Sequence, residues 1–186
     1  MVNIAIIIVF VVLLMMIQLT LITSAIWSSY NSILIINGHL GYHGTRKKDI
    51  PIIVRMIYPR TGDKIISLGC GDGRILKSLP SIHNASYVGI DTNRFLIFTN
   101  KIISKLNNQN INFLVQDIAN TDLDKFNKIY IFSTQEYLEK FTSQIEQQCV
   151  NETIIISYMY PIKSNNLTLI EVADGEHKIY KYKKTT

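Results

Sequence analysis

The stretch Lys64-Ile65-Ile66-Ser67-Leu68-Gly69-Cys70-Gly71-Asp72-Gly73-Arg74 constrains the fold of this chain more than any other. A short apolar run, read as a buried strand, feeds straight into a turn. Glycines stand at alternate positions in that turn: Gly69, Gly71 and Gly73. A second strand, Tyr87-Val88-Gly89-Ile90-Asp91, ends on an acid. That acid falls about 20 residues after the turn begins, the offset taken by a ribose-binding carboxylate in nucleotide folds. Turn and acid together point to a bound nucleoside cofactor.

The rest of the globular part alternates strand and helix. A helix is expected over Ile50–Ile57, with Asp49 as N-cap and Pro51 in the first turn. After the turn Tyr58–Asp63 comes the first strand, and then a short helix from about Asp72 to Leu79, stopped by Pro80. Strands are expected at Tyr87–Ile90, Ile111–Val115, Lys128–Phe132 and Thr153–Tyr158, with helices over Asn93–Leu106 and Thr134–Gln147. The tail, Leu167–Val172 and His177–Tyr182 around Ala173-Asp174-Gly175-Glu176, reads as a hairpin. This order predicts an α/β fold: a Rossmann-like seven-strand sheet, mostly parallel, with a C-terminal antiparallel hairpin.

Hydrophobic residues make up 47% of the 186 and charged residues 18%, and the apolar excess is concentrated near the N-terminus. Ile4 to Ile17 is apolar without a break, and Leu19 to Trp27 continues the trend past Gln18. The run is about the 20 residues that a membrane-crossing helix needs. Trp27 and Tyr30 suit an interfacial belt. A cleaved signal peptide would want a basic n-region and a shorter core, and a buried core helix is rarely apolar on every face. We therefore expect a transmembrane anchor over residues 1–30, with residues 2–27 in the bilayer. A juxtamembrane linker over 31–48 and a globular domain over 49–186 follow. Ser32–Ile36 either prolongs the anchor helix or lies along the membrane surface. All 19 basic residues lie at or beyond Arg46, beginning with Arg46-Lys47-Lys48. The positive-inside rule then sets the domain in the cytoplasm, or on the matrix side of a mitochondrial membrane. The sequons at Asn84, Asn151 and Asn166 are accidental on that reading.

In open parallel sheets, ligands bind at the carboxyl ends of strands. Gly69 to Gly73, Asp91, Asp117 and Ser133-Thr134-Gln135-Glu136 all fall at such ends. Glycines allow close approach and positive φ, and the N-terminus of the helix that follows offers free N–H groups. Asp91 can accept from two vicinal ribose hydroxyls, and Asp117 from an exocyclic amine such as that of adenine. Each also has a plainer use. Asp91 suits an N-cap, Asp117 a loop and Asp72 the first turn of a helix. Arg74 suits a surface or substrate-side cation. Cys70 reads as a small packed residue, since no His or Lys close in sequence would activate it. With only Cys70 and Cys149 and no clustered ligands, neither a disulfide framework nor a metal site is expected.

The dinucleotide fingerprint is G-x-G-x-x-G/A. Here the third glycine comes one residue early and Arg74 takes its place, which argues against NAD. No phosphate-binding Gly-Lys-Ser or Gly-Lys-Thr follows, which excludes a P-loop.

Ile66 to Arg74 resembles the first motif of class I, seven-strand methyltransferases that use S-adenosylmethionine. Gly89-Ile90-Asp91 resembles their acid-ended second motif, and Val115-Gln116-Asp117 their adenine-side acid. The N-terminal membrane segment, the turn continuing into Arg74-Ile75, Ile129-Tyr130-Ile131-Phe132 and Ile156-Ser157-Tyr158-Met159-Tyr160-Pro161 narrow the likeness. Together they resemble the membrane-anchored lysine methyltransferases of the adenine nucleotide translocase and ATP synthase c-subunit. The likeness runs from about Thr45 onward. Cys70 departs from the small residue common there, and Asp91 from the common Glu. The end of the fourth strand has no Asn-Pro-Pro-Tyr, which speaks against adenine-N6 or glutamine methylation.

This resemblance implies S-adenosylmethionine as cofactor, held by Leu68, Gly69, Cys70, Gly71, Asp72, Gly73, Asp91, Thr92, Gln116, Asp117 and Ile118. It implies in-line attack by a neutral amine on the sulfonium methyl group, so a lysine substrate must first lose its proton. Glu136, Tyr158 and Tyr160 are the candidates on the acceptor side. A helix first-turn acid and sheet-face packing are their plainer uses. The expected partner is a membrane protein with an accessible lysine, without metal and without nucleic acid. A small-molecule, lipid or RNA methyltransferase is the alternative. An NAD-binding oxidoreductase and a non-catalytic cofactor-binding membrane protein stand further back.

Overall fold

The structure, a computed structural model, describes residues 4–36 and 44–185. The described residues fall into two compact units divided between His43 and Gly44. The first holds α1 (Ile4–Ile36), a single helix. Its segment Ile4–Tyr30 is long and apolar enough to cross a membrane, and none of its side chains is buried. Ser32–Ile36 prolongs this helix. Of the linker expected over 31–48, residues 31–36 continue α1 and residues 44–48 are described with the second unit, while 37–43 lie outside the described residues.

The second unit is one seven-stranded sheet flanked by helices. In chain order it contains α2 (Ile50–Ile57), β1 (Lys64–Leu68), α3 (Arg74–Ser78), β2 (Ser86–Asp91), α4 (Arg94–Leu106) and β3 (Ile111–Val115). A 3-10 turn (Ile118–Asn120) follows, then β4 (Lys128–Ile131), α5 (Gln135–Gln148), β5 (Ile154–Tyr158), β6 (Leu167–Asp174) and β7 (Lys178–Lys184). The strand order is β3-β2-β1-β4-β5-β7-β6. The first five strands run parallel, and β7 pairs antiparallel with both β5 and β6. This is the expected Rossmann-like seven-strand sheet with its terminal hairpin.

Side chains alternate across the sheet, which creates two apolar layers. Ile66 and Leu68 of β1 with Ile129 and Ile131 of β4 face Leu138, Phe141 and Ile145 of α5. Ile65, Tyr130, Ile156 and Tyr158 face the other way, toward Ile53, Met56 and Ile57 of α2 and Ile75, Leu76 and Ile97 of α3 and α4. Ile65, Ile66 and Leu68 are fully buried, and each contributes about 1.5–3 kcal/mol by leaving water. At the amino ends of the strands, Lys128 pairs with Asp63 at 2.6 Å and donates to the Tyr58 carbonyl. The carboxyl ends carry the candidate site.

Two local expectations need correction. Asp49 precedes α2 but its side chain does not cap it. The carboxylate instead turns to the β6–β7 hairpin, whose backbone donors outcompete a local cap. The helix expected over Asp72–Leu79 is shorter, Arg74–Ser78, because Gly73 at φ +71° still belongs to the turn.

Candidate active site

Strand β1 ends in the glycine turn. Gly69 has φ +66° and Gly73 φ +71°, a region where a Cβ costs about 1–2 kcal/mol. A Cβ on Gly73 would also stand 2.8 Å from the Phe113 ring. The Cys70 N–H donates to the Ile90 carbonyl at 2.8 Å, which ties the turn to β2. The Gly71 N–H donates to Asp91 Oδ2 at 2.9 Å, and the Asn93 N–H to Asp91 Oδ1 at 2.8 Å. Both Asp91 oxygens therefore hold one backbone donor and keep lone pairs for further donors. Burial pushes the Asp91 carboxyl above its ordinary value, although N–H groups of Asn93, Gly71 and Thr92 pull the other way. The cap of α4 is Asn93, which accepts from the N–H groups of Phe95 and Leu96, so Asp91 is not needed as a cap. Thr92, between them, is half-buried.

Side chains absent from the sequence expectation hold the turn from behind. Asn100 Nδ2 donates to the Gly71 carbonyl at 2.7 Å. Lys77 Nζ bridges the Asp72 carbonyl and Asn100 Oδ1, each at 2.8 Å. Asp72 binds the Arg74 guanidinium through both carboxylate oxygens. Arg74 is thus no free surface cation: it is half-buried and its Nη1 donates to the Thr45 carbonyl at 2.7 Å. Gly44 leaves room for it, since a Cβ there would lie 2.6 Å from the guanidinium carbon. Cys70 Sγ is pushed well above the ordinary thiol range by burial and by Asp91, which keeps it an unreactive thiol.

At the end of β3, Gln116 bonds to the Asn120 carbonyl and Thr121 Oγ1. Asp117 caps the 3-10 turn through the Ala119 N–H, and the same Oδ1 accepts from the Tyr137 hydroxyl at 3.1 Å. Ile118 is buried beneath. Burial and the neighbouring Asp117 push the Tyr137 hydroxyl up to about 12. Tyr137 is not legible as a site residue in the sequence: it stands in the first turn of α5, and only the fold brings its hydroxyl to Asp117.

The acceptor-side candidates separate in space. Tyr158 packs on the α2 side of the sheet and Tyr160 on the α5 side. Met159 between them takes φ +76°. The Tyr158 hydroxyl donates to Asp49 Oδ2 at 2.7 Å and lies 3.3 Å from His177 Nδ1. Burial and Asp49 push it up to about 12. Glu136 is exposed on α5, and its pairing with Lys140 holds its carboxyl below the ordinary range. Ser133, at the end of β4, is buried, and its Oγ has no hydrogen-bond partner among the described residues.

A glycine turn tied to a desolvated carboxylate at the switch point of a 3-2-1-4-5-7-6 sheet defines a class I S-adenosylmethionine-dependent methyltransferase. The ANTKMT methyltransferase domain model matches residues 67–168, and the chain belongs to that family. The fold is similar to an RNA methyltransferase from Salinibacter ruber solved with S-adenosyl-L-homocysteine, at TM-score 0.68 and 18% identity, covering 77% of this chain and 94% of that one. It is also similar to a putative methyltransferase from Escherichia coli (TM-score 0.63, 14% identity, 77% and 88% covered). The N-methyltransferase NodS from Bradyrhizobium japonicum is a third (TM-score 0.59, 12% identity, 74% and 94% covered). No curated protein matches the sequence. Among the described residues no group of His, Cys, Asp and Glu is arranged to hold a metal ion.

Proposed function

We propose that this chain is a protein-lysine N-methyltransferase whose substrate is a membrane-associated protein. The observation that carries this reading is the ANTKMT family match over 67–168, which spans both the glycine turn and the carboxyl end of β5. The chain's residues fit the cofactor. Gly69, Cys70, Gly71, Asp72 and Gly73 form the floor beside Leu68. Asp91, with Thr92, offers a charged acceptor to ribose hydroxyls. Asp117 keeps its Oδ2 for the adenine amine, with Gln116 and Ile118 alongside. The Ser133 hydroxyl, buried just past β4, has no hydrogen-bond partner among the described residues. S-adenosylmethionine supplies the electrophilic methyl group on its sulfonium.

The protein's part in the chemistry is chiefly positioning and exclusion of water. On this reading Tyr160 is the acceptor-side residue that orients the amine. Tyr158 acts through its bond to Asp49, since a phenol held near 12 is poorly suited to take a proton at neutral pH. Glu136 has the weakest case of the three candidates, because solvent and Lys140 surround its carboxylate. The apolar helix Ile4–Tyr30 supports an anchored enzyme, and the basic cluster Arg46-Lys47-Lys48 argues for the cytoplasmic or matrix side. Confining enzyme and substrate to one plane raises their effective concentration. Mass spectrometry of membrane fractions, with and without the enzyme, tests this reading. It predicts methylated lysine on a membrane protein. Transfer of methyl groups to RNA, lipid or a small molecule instead would refute it.

A further inference from the structure

Helix α4 is buried along one face, where Leu96, Ile97, Asn100 and Ser104 meet the sheet. At about 100° per residue, Phe95, Phe98, Ile102 and Leu106 fall on the side opposite that face. A helix on a soluble domain presents polar residues there. Here Phe98 is 61% and Leu106 76% exposed. Five of the large apolar side chains exposed outside α1 belong to this helix, the fifth being Ile103. A patch of this kind marks an interaction surface. Arg94, Lys101 and Lys105 run along one flank of the stripe, and the helix has no acid.

We propose that the outer face of α4 lies on an anionic bilayer surface. Phe98, Ile102 and Leu106 enter the boundary between headgroups and acyl chains, and Arg94, Lys101 and Lys105 meet the anionic headgroups. The charge pattern selects this occupant. A second copy of the chain, docked by the same patch about a two-fold axis, would bring like cations together along the flank. The inference goes beyond the proposed activity and rests on α1 holding the chain at a membrane. Its consequence is geometric within the domain: α4 packs its other side on the sheet and begins three residues past Asp91, so docking lays the sheet along the membrane surface with the carboxyl-end rim at the N-terminal end of the docked helix.

The test uses the full chain in proteoliposomes of 70% phosphatidylcholine and 30% phosphatidylserine, with Trp27→Phe to remove the native tryptophan. Phe98→Trp and, separately, Ile102→Trp are introduced, and tryptophan emission is read against brominated lipid. Lys140→Trp, on α5 across the sheet, is the control. Docking predicts at least twofold quenching at positions 98 and 102 and none at 140. Reversing Arg94, Lys101 and Lys105 to glutamate is expected to lower the docked population more than tenfold, at about fivefold per cation. Chains that float with the vesicles yet show no quenching at 98 and 102 would overturn the docking and leave the anchor standing. Chains that do not float would overturn both. Shielding of position 98 from iodide that grows with protein concentration, without lipid quenching, would identify a second copy as the occupant and refute the proposal.

Discussion

Asp49 is fully buried, and its carboxylate accepts from the N–H of Glu176 at 2.6 Å, the N–H of His177 at 3.1 Å and the hydroxyl of Tyr158 at 2.7 Å. Asp49→Ala removes the acceptor of all three donors. Tyr158 then has His177 Nδ1 within 3.3 Å as a replacement partner. The two hairpin N–H groups have none, and a buried donor left unpaired costs about 1–3 kcal/mol. We therefore expect a loss of about 2–5 kcal/mol, a large share of the 5–15 kcal/mol typical of a domain. At about 2–4 °C per kcal/mol, the melting temperature falls by roughly 5–15 °C. Burial alone would raise this carboxyl, but the donors from Glu176, Tyr158 and His177 outweigh it and hold its pKa below the ordinary 3.8. A depressed folded pKa gives stability that is fully present above the unfolded value and is lost as pH falls through the folded one. The difference between wild type and variant should therefore be constant from neutral pH to about 5 and shrink below about 4. Near-UV circular dichroism of the full chain in detergent, melted across that pH range, reads both effects. A melting point within 2 °C of wild type at pH 7, or a difference unchanged down to pH 3, would refute the reasoning.

Gly73→Ala meets the Phe113 ring at 2.8 Å as well as a left-handed backbone, whereas Gly62→Ala at φ +85° meets nothing within 4 Å. Chemical denaturation should show the first costing about 1–2 kcal/mol more than the second, and equal losses would contradict the packing described. The raised Asp91 carboxyl predicts that cofactor affinity falls as pH drops through a value above 3.8, because the protonated acid is a poorer acceptor for ribose hydroxyls. For stability the sign is opposite: the raised pKa makes Asp91 costly as pH rises through it, and calorimetry with Asp91→Asn should abolish both dependences. Arg74→Met removes the bond to the Thr45 carbonyl and should speed hydrogen exchange across residues 45–49 by tenfold or more, which is about 1.4 kcal/mol.

Apolar runs bounded by turn residues were enough to locate all seven strands, and the glycine turn with Asp91 marked the carboxyl-end rim that carries the candidate site. Tertiary partners decided the rest. Asp49 looks like a helix cap because capping is a local preference, but its donors lie more than a hundred residues away at Glu176 and His177. Arg74 looks like a surface cation until the fold brings the Thr45 carbonyl against it. Apolar periodicity in α4 was legible, yet Phe98 and Leu106 cannot be told from Leu96 and Ile97 until the sheet occupies one side. Tyr137 and Asn100 support the site through contacts that no spacing in the sequence announces.

On the proposed reading, Asp91 and the glycine turn bind S-adenosylmethionine. Isothermal calorimetry of the full chain, wild type against Asp91→Ala, tests it most directly. Loss of two charge-assisted hydrogen bonds at about 1.5–3 kcal/mol each predicts binding weakened at least a hundredfold, with NAD bound by neither protein. No binding of S-adenosylmethionine to the wild type, or equal affinity in the two proteins, would contradict the account.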